Sequence, residues 1–234
     1  MATVPMTAQY LSTEKGHKYT YSSMAVNDED TIRLETEVTV KELVTDADGK
    51  ITATYEHVSP VPGNSLAKHT ETQTFVYTPA DGITTVVVND AEGTKAEMIE
   101  TIKTQAESAG HVPTESEMAE LTAMLKVKGE LSIALDPNAA PETKLPNKTL
   151  RVNMGPQTFT FNLWEGKVKG TESITTPAGT FDCFKLTYTM KINMGADSQK
   201  YYVTEWYAKG IGLVKSVNAD KKGNVISSEE LTAM

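Results

Sequence analysis

The sequence predicts a single, mainly antiparallel β domain, built as a large curved sheet or half-open barrel with one inserted helix pair. Three observations predict it. Apolar and polar residues alternate along many short runs, turn residues separate those runs at hairpin spacing, and one stretch, about residues 94–127, changes to helical spacing. No composition break divides residues 1–234, which are enough to bury a core without disulfides.

The clearest alternation comes first. Ile32, Leu34, Thr36, Val38 and Val40 fall on one face, and Arg33, Glu35, Glu37, Thr39 and Lys41 on the other. Asp46-Ala47-Asp48-Gly49 turns the chain, and Ile51, Ala53 and Tyr55 resume the pattern, so residues 31–58 read as a long hairpin. Gln73, Phe75 and Tyr77 alternate before the turn Pro79–Gly82, and the β-branched run Ile83–Val88 suits a pleated surface. Met98, Ile99, Ile102 and Ala106 then recur at helical spacing. Gly110–Pro113 breaks them, Thr114–Glu117 has the form of a capping box, and Met118, Leu121 and Leu125 make a second apolar stripe with Met124 beside it. The helix pair is expected to cover the open face of the sheet.

Strands return at Leu131–Leu135. Residues 136–149, with Pro137, Pro141 and Pro146, read as an unusually long loop. Phe159, Phe161 and Leu163 alternate, and Val168–Ile174 forms another strand. Thr176–Thr180 turns into a long strand with Phe184, Leu186, Tyr188, Met190, Ile192 and Met194 on one face. Tyr201, Val203 and Tyr207 follow, with Tyr202 and Trp206 opposite, and the runs Ile211–Val217 and Val225–Leu231 close the chain.

Composition narrows the function classes. A formal net charge of −9 with no basic stripe argues against nucleic acid and against docking to an anionic membrane. No apolar run approaches the roughly 20 residues of a membrane-spanning helix. Met1–Pro5 shows no leader, as expected either of a cytosolic chain or of one whose leader has been removed.

Signals for chemistry are weak. His17, His57, His69 and His111 lack the spacing of common metal motifs, so neither a metal nor a cofactor is expected. Asp46–Gly49 opens like a calcium loop but lacks the closing Glu, and a hairpin turn accounts for it better. Cys183, the single cysteine, reads as a small buried hydrophobe. With no nucleophile elbow, phosphate loop or dinucleotide fingerprint, no catalytic residue is assigned and an enzyme ranks last.

The end of the chain carries a family resemblance. Gly170-Thr171-Glu172, Thr176-Pro177-Ala178-Gly179-Thr180-Phe181 and Cys183-Phe184-Lys185 precede Glu205-Trp206-Tyr207-Ala208-Lys209-Gly210-Ile211-Gly212-Leu213-Val214-Lys215. Together they resemble uncharacterised cell-envelope proteins of Gram-negative bacteria related to domain of unknown function 3108, the TapB-like group. Gly16-His17-Lys18-Tyr19-Thr20-Tyr21 is similar to that group's first strand. The resemblance covers the ends of the chain well and the helical middle poorly. It implies an exported protein of the periplasm or cell surface, often lipid-anchored, with a curved sheet akin to lipoprotein carriers. It carries over no catalytic residue, because its pattern consists of turns and packing positions.

Two readings follow. In the first, the curved sheet and the helices enclose an apolar or lipid-like ligand, with Tyr188, Met190, Trp206, Met98, Met118 and Met124 as its lining. In the second, the domain is a structural or protein-interaction module of the envelope whose core is filled by its own side chains.

Overall fold

The computed structural model describes residues 9–26, 30–61, 64–195 and 197–234. The opening Met1–Pro5 lies outside them. The chain runs through β1 (Lys18–Val26), β2 (Thr31–Thr45), β3 (Ile51–Val61), β4 (Asn64–Thr78) and β5 (Ile83–Asp90), then α1 (Ala91–Ser108) and α2 (Glu115–Met124). It continues through β6 (Leu125–Leu135), β7 (Lys148–Met154), β8 (Gln157–Thr176), β9 (Gly179–Met194), β10 (Asp197–Ala208), β11 (Gly212–Ala219) and β12 (Val225–Ala233). Each strand pairs antiparallel with the next, and β12 returns to β1, with Tyr21 opposite Leu231 and Ser23 opposite Glu229. The sheet is therefore a closed up-and-down barrel, and the expected curved sheet has no open face left for the helices to cover.

The predicted hairpins form. At the β2–β3 turn the Asp46 carboxylate accepts from the amides of Asp48 and Lys50, and Gly49 takes a φ of 77°, which favours glycine. The two runs predicted at 159–163 and 168–174 are one strand, β8, interrupted by register shifts between Trp164 and Lys167 and between Val168 and Gly170. Such bulges bend a long strand around a closing ring. The loop at 136–149 ends slightly earlier than expected, because Lys148 already pairs with Leu163 in β7.

Register fixes which face is inside, since paired residues share a face. Phe184, Leu186 and Tyr188 of β9, Val203, Glu205 and Tyr207 of β10, Tyr19 and Tyr21 of β1, Tyr55 of β3 and Phe75 of β4 point inward and are buried. Outward positions carry ion pairs: Lys18–Glu37 at 3.0 Å, Lys41–Glu56 at 2.7 Å, Lys185–Glu172 at 2.7 Å and Lys215–Glu230 at 3.1 Å. Exposed pairs of this kind add about 0–1 kcal/mol each. Their presence matters more for what the surface is, because a lipid-facing barrel wall is an apolar band. No described helix is long and apolar enough to cross a membrane.

An up-and-down barrel has two distinct ends. The connections β2–β3, β4–β5, β6–β7, β8–β9 and β10–β11 lie at one, here the floor. The helix insertion and the β7–β8 and β11–β12 turns lie at the other, the mouth. The segment Gln9–Ser12 is buried and plugs the floor. Its backbone is held from three sides: the Tyr10 amide donates to Thr84 Oγ1 at 3.1 Å, the Ser12 amide donates to the Tyr55 hydroxyl at 2.6 Å, and the Gly210 amide donates to the Gln9 carbonyl at 2.8 Å. The Tyr10 ring packs tilted against Phe184, and Phe75 lies between Tyr55 and Tyr207. The core thus fills the lower barrel with aromatic rings.

Candidate ligand pocket at the barrel mouth

α1 starts where Asp90 leaves β5. The Asp90 carboxylate accepts from the Gly93 amide at 2.7 Å and caps the helix. The insertion thus spans 91–124, three residues ahead of the predicted 94–127 at each end. Thr114 and Glu117 form the predicted capping box: the Glu117 amide donates to Thr114 Oγ1, and the Thr114 amide donates to the Glu117 carboxylate.

One face of α1 turns into the mouth. Thr94, Glu97, Met98, Thr101 and Ile102 follow helical i, i+3, i+4, i+7, i+8 spacing, and they meet Asn89 of β5, Leu150 and Val152 of β7, and Phe159 and Phe161 of β8. Leu150 pairs with Phe161, and Phe161 with Ile192 on the inner face of β9, so this wall is the inside of the barrel. The half-open space they line is about 330 Å³, walled mainly by hydrocarbon. That size and lining are typical of small-molecule sites.

Above the pocket, Glu97 approaches the inward face of β4. A ring nitrogen of His69 and carboxylate oxygens of Glu71 and Glu97 lie within 4.8 Å of one another, with His69 Nε2 and Glu71 Oε1 2.6 Å apart. Imidazole and carboxylates together make a donor set suited to a divalent ion, yet all three side chains are exposed, and exposed groups meet this way without one. Sequence spacing does not reveal this cluster, because Glu97 arrives from the helix.

Deeper inside, Glu205 is buried and accepts from the hydroxyls of Tyr188 and Tyr207, both at 2.9 Å. Burial pushes its carboxyl up to about 7, against the pull of the two hydrogen bonds, and Glu229 adds a like charge. Glu229 is itself raised, first by burial and then by Glu71. His57, across the β3–β4 ladder from Glu71, is lowered by burial. Cys183 is buried and its thiol is pushed up to about 12, so it stays protonated and unreactive.

The six residues expected as one lining are dispersed. Met98 lines the α1 pocket. Tyr188 and Met190 point inward on β9, where Tyr188 bonds to Glu205 and Met190 packs on the core. Met118 is half-buried on α2, outside the pocket. Met124 is 55% exposed at the end of α2. Trp206 faces out of the barrel: its Nε1 donates to Glu172 at 2.9 Å, and Lys185 lies over its ring. The period-two pattern explains that placement, since Trp206 is flanked by the inward Glu205 and Tyr207. The aromatic pocket walls Phe159 and Phe161 were legible as an alternating strand and Met98 and Ile102 as a helical stripe, but nothing in the sequence marked that these two would meet or that Thr94, Glu97 and Thr101 would join them.

Two solved structures share this fold along nearly their whole length. One is described as a putative lipoprotein from Parabacteroides distasonis, with a TM-score of 0.65 and 17% identity, covering 96% of this chain and 97% of that one. The other is described as a putative exported protein with a YmcC-like fold from Bacteroides fragilis, with a TM-score of 0.63 and 17% identity, covering 95% and 97%. At that identity they establish the fold alone. No curated protein matches the chain. The model of the DUF3108-like family matches residues 131–231, from within β6 to within β12, and over this stretch the chain is similar to that family.

Proposed function

We propose that this is an exported protein of the bacterial cell envelope, facing the periplasm or the cell surface, that holds a small apolar or amphipathic molecule between α1 and the inner barrel wall. The observation that carries the reading is the apolar pocket of about 330 Å³ formed by Met98, Ile102, Leu150, Val152, Phe159 and Phe161. The envelope assignment, and with it a lipid anchor, draws support from the descriptions of the two relatives as lipoprotein and exported protein. Binding is preferred to catalysis because Glu205, with its carboxyl far above the ordinary range, is sealed between two tyrosine hydroxyls and does not line the pocket.

Displacement of a neutral fluorescent probe such as N-phenyl-1-naphthylamine tests the reading. Met98→Trp fills the pocket and is expected to weaken the probe about 10-fold or more, the effect of roughly 1.4 kcal/mol. Equal binding to both proteins would place the probe elsewhere and refute the assignment.

The second reading, an interaction module without a ligand, has one observation in its favour: the lower barrel is filled by Tyr10, Leu11, Phe75, Phe184 and Tyr207. Native mass spectrometry of protein purified from its host separates the two. A bound small molecule supports the first reading, and a stable protein partner with no small molecule supports the second.

A further inference from the structure

We infer that the occupant of the α1 pocket is a cationic amphiphile, an apolar body ending in a protonated amine; this rests on the pocket reading above. Three observations carry it. The walls are apolar, and Glu97 is the one ionisable side chain among the lining residues. Thr94, also in the lining, is only 9% exposed, and its hydroxyl has no hydrogen-bond partner among the described residues. A helical threonine commonly satisfies itself on the carbonyl four residues back, and a buried hydroxyl left without that partner is a group whose pairing a ligand can supply. Finally, the Glu97 carboxylate stands beside Glu71 and His69.

Charge decides the sign of that ligand atom. Two carboxylates against a single imidazole make the cluster an acidic one. The positive end of α1 offers no refuge for an anion, because Asp90 already accepts from the Gly93 amide and Glu92 sits in the first turn. A ligand carboxylate would join like charges at the edge of an apolar cavity. An ammonium brings three donors and no acceptor, which suits the Glu97 carboxylate and the Thr94 hydroxyl together. The net charge of −9 favours the approach of cations as well. A space of about 330 Å³ is that of a small-molecule site, and decylamine is a ligand of that order of size.

The test compares decylamine, decan-1-ol and decanoate as displacers of N-phenyl-1-naphthylamine from the full chain at about pH 8, low salt and submicellar concentration. Decylamine is expected to displace the probe at a concentration about 10-fold or more below decanoate, with decanol between them. Glu97→Gln is expected to remove the advantage of the amine and leave decanol unchanged, while Thr94→Val weakens amine and alcohol alike. Decanoate equal to decylamine, or a ranking untouched by Glu97→Gln, overturns the cationic assignment and leaves the pocket reading standing. Failure of all three to displace a probe that Met98→Trp also fails to weaken overturns the pocket reading itself.

Discussion

Replacing Glu205 by Gln removes a titration from the centre of the barrel, and the structure gives the size and sign of the effect. Glu205 is 8% exposed, and its carboxyl titrates at about 7 in the folded protein against 4.5 for an ordinary glutamate. The folded state therefore holds the proton more tightly than the unfolded chain. The stability this contributes is fully present below about pH 4.5 and is lost as pH rises through about 7, the reverse of a salt-bridged carboxylate. Between about pH 5 and pH 8 the loss is roughly 2–3 kcal/mol. Glu229 is raised as well and pulls in the same direction; because its charge acts on Glu205, the difference between the two proteins reports Glu205 together with its coupling to Glu229. Urea unfolding at several pH values, followed by tryptophan fluorescence and far-UV circular dichroism, measures it. Wild type is expected to lose that much more stability than Glu205→Gln across the window. Parallel pH profiles, agreeing within about 0.5 kcal/mol, would refute the claim that Glu205 is buried and protonated near neutrality.

Two further substitutions probe the frame. Tyr55→Phe strands the buried Ser12 amide, which donates to the Tyr55 hydroxyl. It should cost about 1–3 kcal/mol and speed proteolysis near Gln9–Ser12; an unchanged cleavage rate would mean that the floor segment is held without this bond. Gly129 has a φ of 92°, and a Cβ there would lie 2.1 Å from the Thr149 carbonyl oxygen. Gly129→Ala is expected to cost about 3 kcal/mol or more, read as a lowered Tm, and a variant as stable as wild type would show that β6 and β7 do not approach so closely.

The parts of the fold that could be read in the sequence are those set by neighbours along the chain. Alternation from Ile32 to Val40, the Asp46–Gly49 turn and the Thr114–Glu117 capping box depend on residues a few positions apart, and all three form. Closure does not depend on such neighbours. Nothing local tells Tyr21 to pair with Leu231, because strand partners are chosen by the whole sheet. The floor segment escaped for a similar reason: Tyr10 and Leu11 are two apolar residues with no periodicity, and they are buried only because a ring surrounds them. For the candidate site, Met98 was recognisable from helical spacing. Glu97, Thr94, Leu150 and Phe161 meet it only once α1 turns into the mouth.

Closing the ring through the first and last strands also makes the order of synthesis matter. Until Val225–Ala233 exists, β1 and β11 each present an unpaired row of backbone donors and acceptors, ready templates for another chain. Contacts so distant in sequence form late and slowly. A chain shortened by one hairpin would therefore lose more than a strand: it would expose two sticky borders on a curved sheet. The final residues act as the seam that turns an aggregation-prone sheet into a closed cylinder.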